Sequence, residues 1–294
     1  MRESTKTSDL ATVTVAYMVA LFVGGSSLYL LSYGHLVNIL LADLVATLVI
    51  FAFSRSYRNS SFYDAYWSVI PPLLALFFLA VGASAVSSLR EVLVLGLILY
   101  WATRLTLNWA VYWEGMHHED WRYAMLRERS PKWAVFTDLF GIHVFPTLQV
   151  FAGMLPVYAV YCLGEQAFNW LDVVAALVTF SAVTLQLVAD RQLRGFIATR
   201  EEGEQLHSGL WAWSRHPNYC GELGFWLGLF LFGLAAVPGA WWWMVSGVVL
   251  MTLMFMLASI PMMEKRSLQR RPAYQEIIDS TSMLIPWPPR RKAP

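Results

Sequence analysis

The stretch Leu206–Trp226, LHSGLWAWSRHPNYCGELGFW, holds the densest group of side chains able to bind or react. Ser214-Arg215-His216-Pro217 leads straight into an apolar run. Proline suits the first turn of a helix, where its missing N–H is not needed, so Pro217 marks a helix start. Such a start offers free N–H groups and the positive end of the helix dipole. With Arg215 and His216 beside it, this is a site for an anion. Asn218 and Glu222 are four residues apart and Tyr219 is three from Glu222, which turns all three in a similar direction. Gly221 admits another backbone or a flat ligand. Asp190 and Arg194, four apart at the end of the preceding apolar run, share a face if that run stays helical. The set predicts a pyrophosphate, with its ribose and base, held between two helix ends. The plainer alternative, a basic anchor on lipid headgroups, explains the arginines but not Asn218 and Glu222.

A second set lies inside apolar runs. Trp101, Arg104, Asn108 and Tyr112 recur at helical spacing, so one helix face carries a ladder of polar and aromatic groups. Charges in such runs face a bundle interior or a watery cavity. Asp43, in another run, offers Arg104 a counter-charge in a purely structural pair, which is the competing expectation. Asp64 sits in Ser-Phe-Tyr-Asp-Ala-Tyr-Trp, His143 and Gln149 interrupt a further run, and Gln186 stands one turn before Asp190. Near the tail, Glu264-Lys265-Arg266 and Tyr274 form another polar cluster. The chain has 2 cysteines, Cys162 and Cys220, too few for a disulfide framework, and no metal is expected.

These residues need elements to hold them. Of 294 residues, 57% are hydrophobic and only 14% charged, where soluble domains carry about 25%. About twenty apolar residues span the hydrocarbon core as a helix. Eight stretches approach that length: Leu10–Leu31, His35–Phe53, Ala65–Ala85, Glu91–Trp113, Phe136–Leu163, Phe168–Ala189, Tyr219–Val237 and Trp241–Pro261. The expectation is an all-α polytopic transmembrane bundle of eight spans, with seven as the alternative count. With the N-terminus in the cytosol, the alternation leaves only Arg90 on the far side and Arg104 within a span. Every other Lys and Arg, from Arg2 and Lys6 to Arg290, Arg291 and Lys292, falls on the cytosolic side. The positive-inside rule thus supports eight spans with both termini cytosolic. The net charge of +1, with no basic stripe, speaks against nucleic acid as a partner.

Several segments together resemble the steroid 5α-reductase superfamily. They are His216-Pro217-Asn218-Tyr219-x-Gly221-Glu222 with the preceding Leu-His-Ser-Gly-Leu-Trp-Ala-Trp-Ser-Arg, the Asp190-x-x-x-Arg194 helix end, Ser61-Phe62-Tyr63-Asp64-Ala65-Tyr66-Trp67, Trp101-x-x-Arg104-Leu105, Glu119-Asp120-x-Arg122-Tyr123 and the closing Ile-Pro-Trp. The chain is most similar to bacterial-type membrane proteins grouped with that superfamily, over residues 55–290. The resemblance implies an N-terminal transmembrane hairpin (1–54) followed by a reductase-like catalytic domain (55–294). It implies a multi-pass protein of a bacterial inner membrane or the endoplasmic reticulum, active toward the cytosol. The cofactor would be NADPH and the substrate a steroid- or lipid-like enone whose conjugated C=C bond is reduced. Asp190, Arg194, Asn218, Tyr219 and Glu222 would hold the cofactor, with Arg215, His216, Glu264 and Tyr274 joining them. Trp226, Asn108 and Gln149 would face the substrate. The family's glutamate falls on Asp64, one methylene shorter. Its tyrosine falls on Trp101 if Arg104 sets the register, or on Tyr100 with a slip of one residue; Arg104 completes the catalytic set. The Arg-His-Pro-x-Tyr fragment is shared with isoprenylcysteine and phospholipid methyltransferases, so transfer of a methyl group from S-adenosylmethionine is an alternative. A non-catalytic lipid or sterol binder is another.

Overall fold

The computed structural model describes residues 5–82, 88–201 and 203–289. Arg2, Arg290, Arg291 and Lys292, and the part of the third stretch after Gly82, lie outside the described residues. Among the described residues, eight helices are long and apolar enough to cross a membrane: α1 (Lys6–Leu30), α2 (His35–Tyr57), α3 (Ser60–Val81), α4 (Ser88–Tyr112), α6 (Pro131–Leu163), α7 (Trp170–Thr199), α8 (Pro217–Ala236) and α9 (Pro238–Arg270). Two short helices, α5 (Trp121–Arg129) and α10 (Tyr274–Ser280), lie between and after them. No strand occurs among the described residues. The chain is an integral, multi-pass helical membrane protein with the eight expected spans. Two of them outlast their apolar runs. α7 continues ten residues past Ala189, and α9 nine past Pro261, because the residues that follow (Arg, Gln, Leu, Lys, Met) are good helix formers.

α7 and α8 form the tightest pair in the bundle. A Cβ added at Gly228 would lie 2.0 Å from Thr179 Oγ1, and one at Gly221 would lie 2.6 Å from the Ala182 carbonyl oxygen. The glycines let the two backbones touch, as small residues do wherever lipid supplies no hydrophobic drive between helices. Gly221 thus admits a backbone rather than a flat ligand. The seam brings the end of α7 beside the start of α8.

α4 runs parallel to α7, and two ion pairs join them. At one end the buried Arg90 guanidinium clamps Asp172 two-pronged, Nε to Oδ1 at 2.6 Å and Nη2 to Oδ2 at 2.8 Å, and donates to the Gln166 and Ala167 carbonyls. Toward the other end, Arg104 meets Asp190 at 2.7 Å. Asp43 is not its partner. That carboxylate lies in a separate polar cluster and accepts from the Tyr66 hydroxyl at 3.4 Å.

Three turns of the spans are wound as π-helix: Thr137–Val144 and Ala159–Leu163 in α6 and Phe255–Ser259 in α9. Thr137–Val144 and Phe255–Ser259 each end two residues before a proline, Pro146 and Pro261. A proline donates nothing to the carbonyl four residues back and crowds the turn before it, so the helix widens there; Ala159–Leu163 follows Pro156 instead and has no such cause.

Gly228→Leu should force α8 off α7 and cost about 3 kcal/mol. The expected readout is a lower melting temperature in detergent. Gly25→Leu, at a helical glycine with nothing near its Cβ position, should leave that temperature unchanged.

Candidate functional site

A cavity of about 1290 Å³ opens at the end of the bundle where α4 and α7 finish and α8 starts. It is walled by α3, α4, α6, α7, α8 and α9, with α5 contributing Trp121, Arg122 and Tyr123. Its volume exceeds the roughly 300–1,000 Å³ of ordinary small-molecule sites, which leaves room for two ligands side by side.

Arg104 organises the deep wall. Its Nη1 donates to Asp190 Oδ2 at 2.7 Å and its Nη2 to Gln186 Oε1. Asp190 also accepts from Asn218 Nδ2 at 3.5 Å, so the end of α7 and the start of α8 meet as their spacings predict. Arg194, one turn further along α7, lies 4.0 Å over the Tyr112 ring, a cation–π contact. The ladder on α4 therefore does face the cavity through Arg104 and Asn108, and supports it through Tyr112. Of the sixteen residues given a catalytic, cofactor or substrate role, Asp64, Arg104, Asn108, Gln149, Asp190, Arg194, Asn218, Tyr219 and Glu222 line the cavity.

Seven do not. Tyr100 turns to the outer face of the bundle, stacked on Phe180 with its hydroxyl 3.4 Å from Thr184 Oγ1. Trp101 and Trp226 are fully buried behind the cavity wall, and their indole N–H groups donate to the two oxygens of Glu222 at 3.0 and 2.9 Å. Arg215 and His216 face away from the cavity toward the tail. Arg215 Nε bonds Glu264 Oε1 at 2.7 Å, and His216 Nε2 lies 3.1 Å from the same oxygen. Arg215 also donates to the Ile278 and Thr281 carbonyls. This brace pins α10 and the tail onto the bundle. Tyr274 sits beside it, its phenol pushed up to about 12 by burial and by the Glu264 charge. The predicted anion site at the start of α8 is changed accordingly. Asn218 Oδ1 takes the Tyr219 N–H, and the positive charge at the cavity comes from elsewhere.

It comes from Arg194, Arg122, Arg129, Lys265, Arg266 and Arg270, all of which line the cavity with Arg104. Only four acidic side chains, Asp64, Asp120, Asp190 and Glu222, share that lining. Among the described residues, neither Arg194, Lys265 nor Arg266 is part of an ion pair; Arg266 lies 3.8 Å over the Trp121 ring. Three buried donors of lining residues, Arg104 Nε, Gln186 Nε2 and Trp109 Nε1, have no partner among the described residues. Buried donors are ordinarily satisfied. A lining with surplus cations and spare donors fits a ligand rich in anionic and acceptor oxygens.

The loop before α5 carries what sequence reasoning missed. Ser60 N–H donates to Glu119 Oε1 at 2.7 Å, Asp120 N–H to Ser61 Oγ at 3.2 Å, and Asn59 Nδ2 to the Met116 carbonyl at 2.8 Å. The Ser61–Trp67 and Glu119–Tyr123 segments are thus two halves of one joint. Arg127 extends it by bonding Glu119 and, at 3.0 Å, Asp138 of α6. The joint sets the Tyr123 hydroxyl 2.5 Å from Asp64 Oδ1. Burial pushes the Tyr123 phenol well above its usual range, and the Asp64 charge adds to this. Burial alone would raise the Asp120 carboxyl, but Arg122, bonded to it at 2.9 and 2.7 Å, outweighs that and holds it low.

The other half of the cavity is apolar, with Trp67, Trp109, Phe145, Val150, Met251, Met254 and Leu257. α6 and α9 touch where Gly247 meets the Gly153 backbone and where Gln149 Nε2 approaches Met251 Sδ at 3.0 Å. Beyond that contact Phe145 and Leu257 line the cavity while 46% and 74% exposed. The cavity is open sideways there, between two spans.

The family described as "Protein of unknown function (DUF1295)" matches residues 50–281. The chain belongs to this family. An uncharacterised protein of Schizosaccharomyces pombe is 26% identical over 272 residues, covering 84% of this chain and 78% of the yeast protein. No solved structure matches. The DUF1295 match begins inside α2 and ends just after α10, so it takes in every cavity wall and the tail brace.

The brace has a testable role apart from the cavity. Glu264→Gln should loosen α10, so that trypsin cuts after Arg270 several times faster than in the unaltered protein; the next bond, Arg271–Pro272, is not a trypsin site.

Proposed function

We propose that the protein is an NADPH-dependent membrane oxidoreductase that reduces the conjugated C=C bond of a steroid- or lipid-like enone. The observation that carries this is one cavity combining surplus cations, an apolar half open to the side, and an acid–phenol pair between them. The resemblance to the steroid 5α-reductase superfamily points the same way; fold kinship alone would not.

A reduced nicotinamide dinucleotide, when bound, supplies a hydride to the β-carbon of the enone. The chain's residues fit such a group on the counts given above: volume, unneutralised cations and spare donors. Arg194, Asn218 and Tyr219 hold it, with Lys265 and Arg266 taking phosphate charge. Asp190 is the acceptor for a ribose hydroxyl, and Arg104 keeps that carboxylate in place. Gln149, Asn108 and the apolar wall take the lipid-like substrate. As negative charge develops on the substrate carbonyl, a donor in a water-poor site contributes several kcal/mol, and Asp64 stands where such help is needed.

Methyl transfer from S-adenosylmethionine has less support. The His-Pro-x-Tyr start that would serve it directs Arg215 and His216 away from the cavity, and one carboxylate needs fewer cations than two phosphate groups. A stability shift in detergent separates the two. NADPH should raise the melting temperature and S-adenosylmethionine should not. The reverse result, or a shift with neither, ends the reductase proposal. Arg194→Ala should weaken NADPH about tenfold or more, as expected for one charge-assisted contact. Asp64→Ala should abolish turnover and spare NADPH binding. Mass spectrometry of small molecules retained on purification should find a dinucleotide.

A further inference from the structure

We propose that Tyr123 of α5 is the residue that hydrogen-bonds and protonates the substrate carbonyl, with Asp64 as its proton source. This rests on the reductase proposal and deepens it. The role moves from the membrane span α4, where the sequence resemblance put it, to a short polar helix outside the spans.

Four observations carry it. The two α4 candidates are not at the cavity: Tyr100 is stacked on Phe180 at the outer face, and Trp101 is sealed against Phe225 and committed to Glu222. Tyr123 and Asp64 both line the cavity, and the Tyr123 hydroxyl donates to Asp64 Oδ1 at 2.5 Å; with Asp64 protonated the same contact reverses, the carboxylic acid donates, and the Tyr123 O–H is free for the substrate carbonyl. Of the other phenols there, the Tyr63 hydroxyl is 2.8 Å from Thr147 Oγ1, and Tyr219, its ring held between His216 and Phe255 with centroids at 5.4 and 4.6 Å, is assigned above to the cofactor. Finally, the Ser60–Glu119 and Ser61–Asp120 bonds dock α5 onto the start of α3, and pre-set geometry of this kind is what a reacting group requires.

The step balances as follows. The enone gains a hydride at its β-carbon and its C=C electrons move onto the carbonyl oxygen. Tyr123 O–H gives that oxygen its proton, forming the enol. The Tyr123 phenolate takes a proton from the Asp64 carboxylic acid, and Asp64 is reprotonated by water at the cavity mouth. The enol then becomes the saturated ketone by moving its O–H proton to the α-carbon. One hydride and one proton are consumed.

The test uses the full-length protein in detergent and, as probe, a long-chain α,β-unsaturated ketone with carbon-13 at its carbonyl. In the unaltered protein the carbonyl infrared band should move to lower frequency on binding, with or without NADPH. Tyr123→Phe should abolish that displacement and lower turnover by roughly 10²–10⁴-fold, with the NADPH-induced stability shift kept. Tyr100→Phe should change none of these. Asp64→Asn should keep the infrared displacement but lose turnover, whereas a merely structural partner would lose both. A displacement that persists in Tyr123→Phe, or turnover that survives it, overturns the assignment. Failure of the reductase proposal reads differently: NADPH leaves the unaltered protein's melting temperature unmoved, while the infrared band still reports on Tyr123.

Discussion

A guanidinium set within an apolar bundle must find a counter-charge, and the choice of partner by Arg104 shapes much of this protein. Removing a charge from water costs several kcal/mol unless good geometry returns it. Arg104 recovers it from Asp190 and Gln186, which fixes α4 against α7 at the depth where the cavity ends. The glycine seam then holds α8 to α7, and Asn218 meets the far oxygen of the same carboxylate. One ion pair thus sets three helices in register around the cavity. The Arg90–Asp172 clamp at the opposite end prevents these helices from turning about a single fixed point.

One wall of the cavity is held by a second, more local device. A polar loop carries Glu119, Asp120 and Arg127 back to the first turn of α3, and every bond of the joint runs between groups near the helix ends. The joint is separate from the ion-pair core, so the position of α5 against α3 is set independently of the pairing of α4 with α7. The same economy appears in the tail, where one carboxylate, Glu264, serves both Arg215 and His216.

Much of this was legible in the residues. Eight spans follow from apolar length and the distribution of Lys and Arg, because bilayer thickness and charge desolvation act on every helix alike. The meeting of Asp190 with Asn218 follows from four-residue spacing at two consecutive helix ends. Spacing gives a face, however, and not a partner. His216 and Arg215 look like anion ligands until Glu264, 48 residues from His216, is seen to claim them. Tyr123 gave less signal still. It lies on a polar helix of nine residues, short enough to pass for a loop, and the partner that gives it meaning is 59 residues upstream. Trp101 misled for the opposite reason: register alone put it in the site, whereas an indole of that size packs into the core behind Glu222.

The parting of α6 and α9 beyond Gln149 and Met251 has a consequence for the chamber itself. Phe145 and Leu257 border it and are exposed, so in a bilayer acyl chains would meet the chamber at this edge. The chain length and packing of the surrounding amphiphile would then act on its width. Protein in a short, loosely ordered surfactant and protein in a native-like bilayer nanodisc are expected to present chambers of different width from one fold.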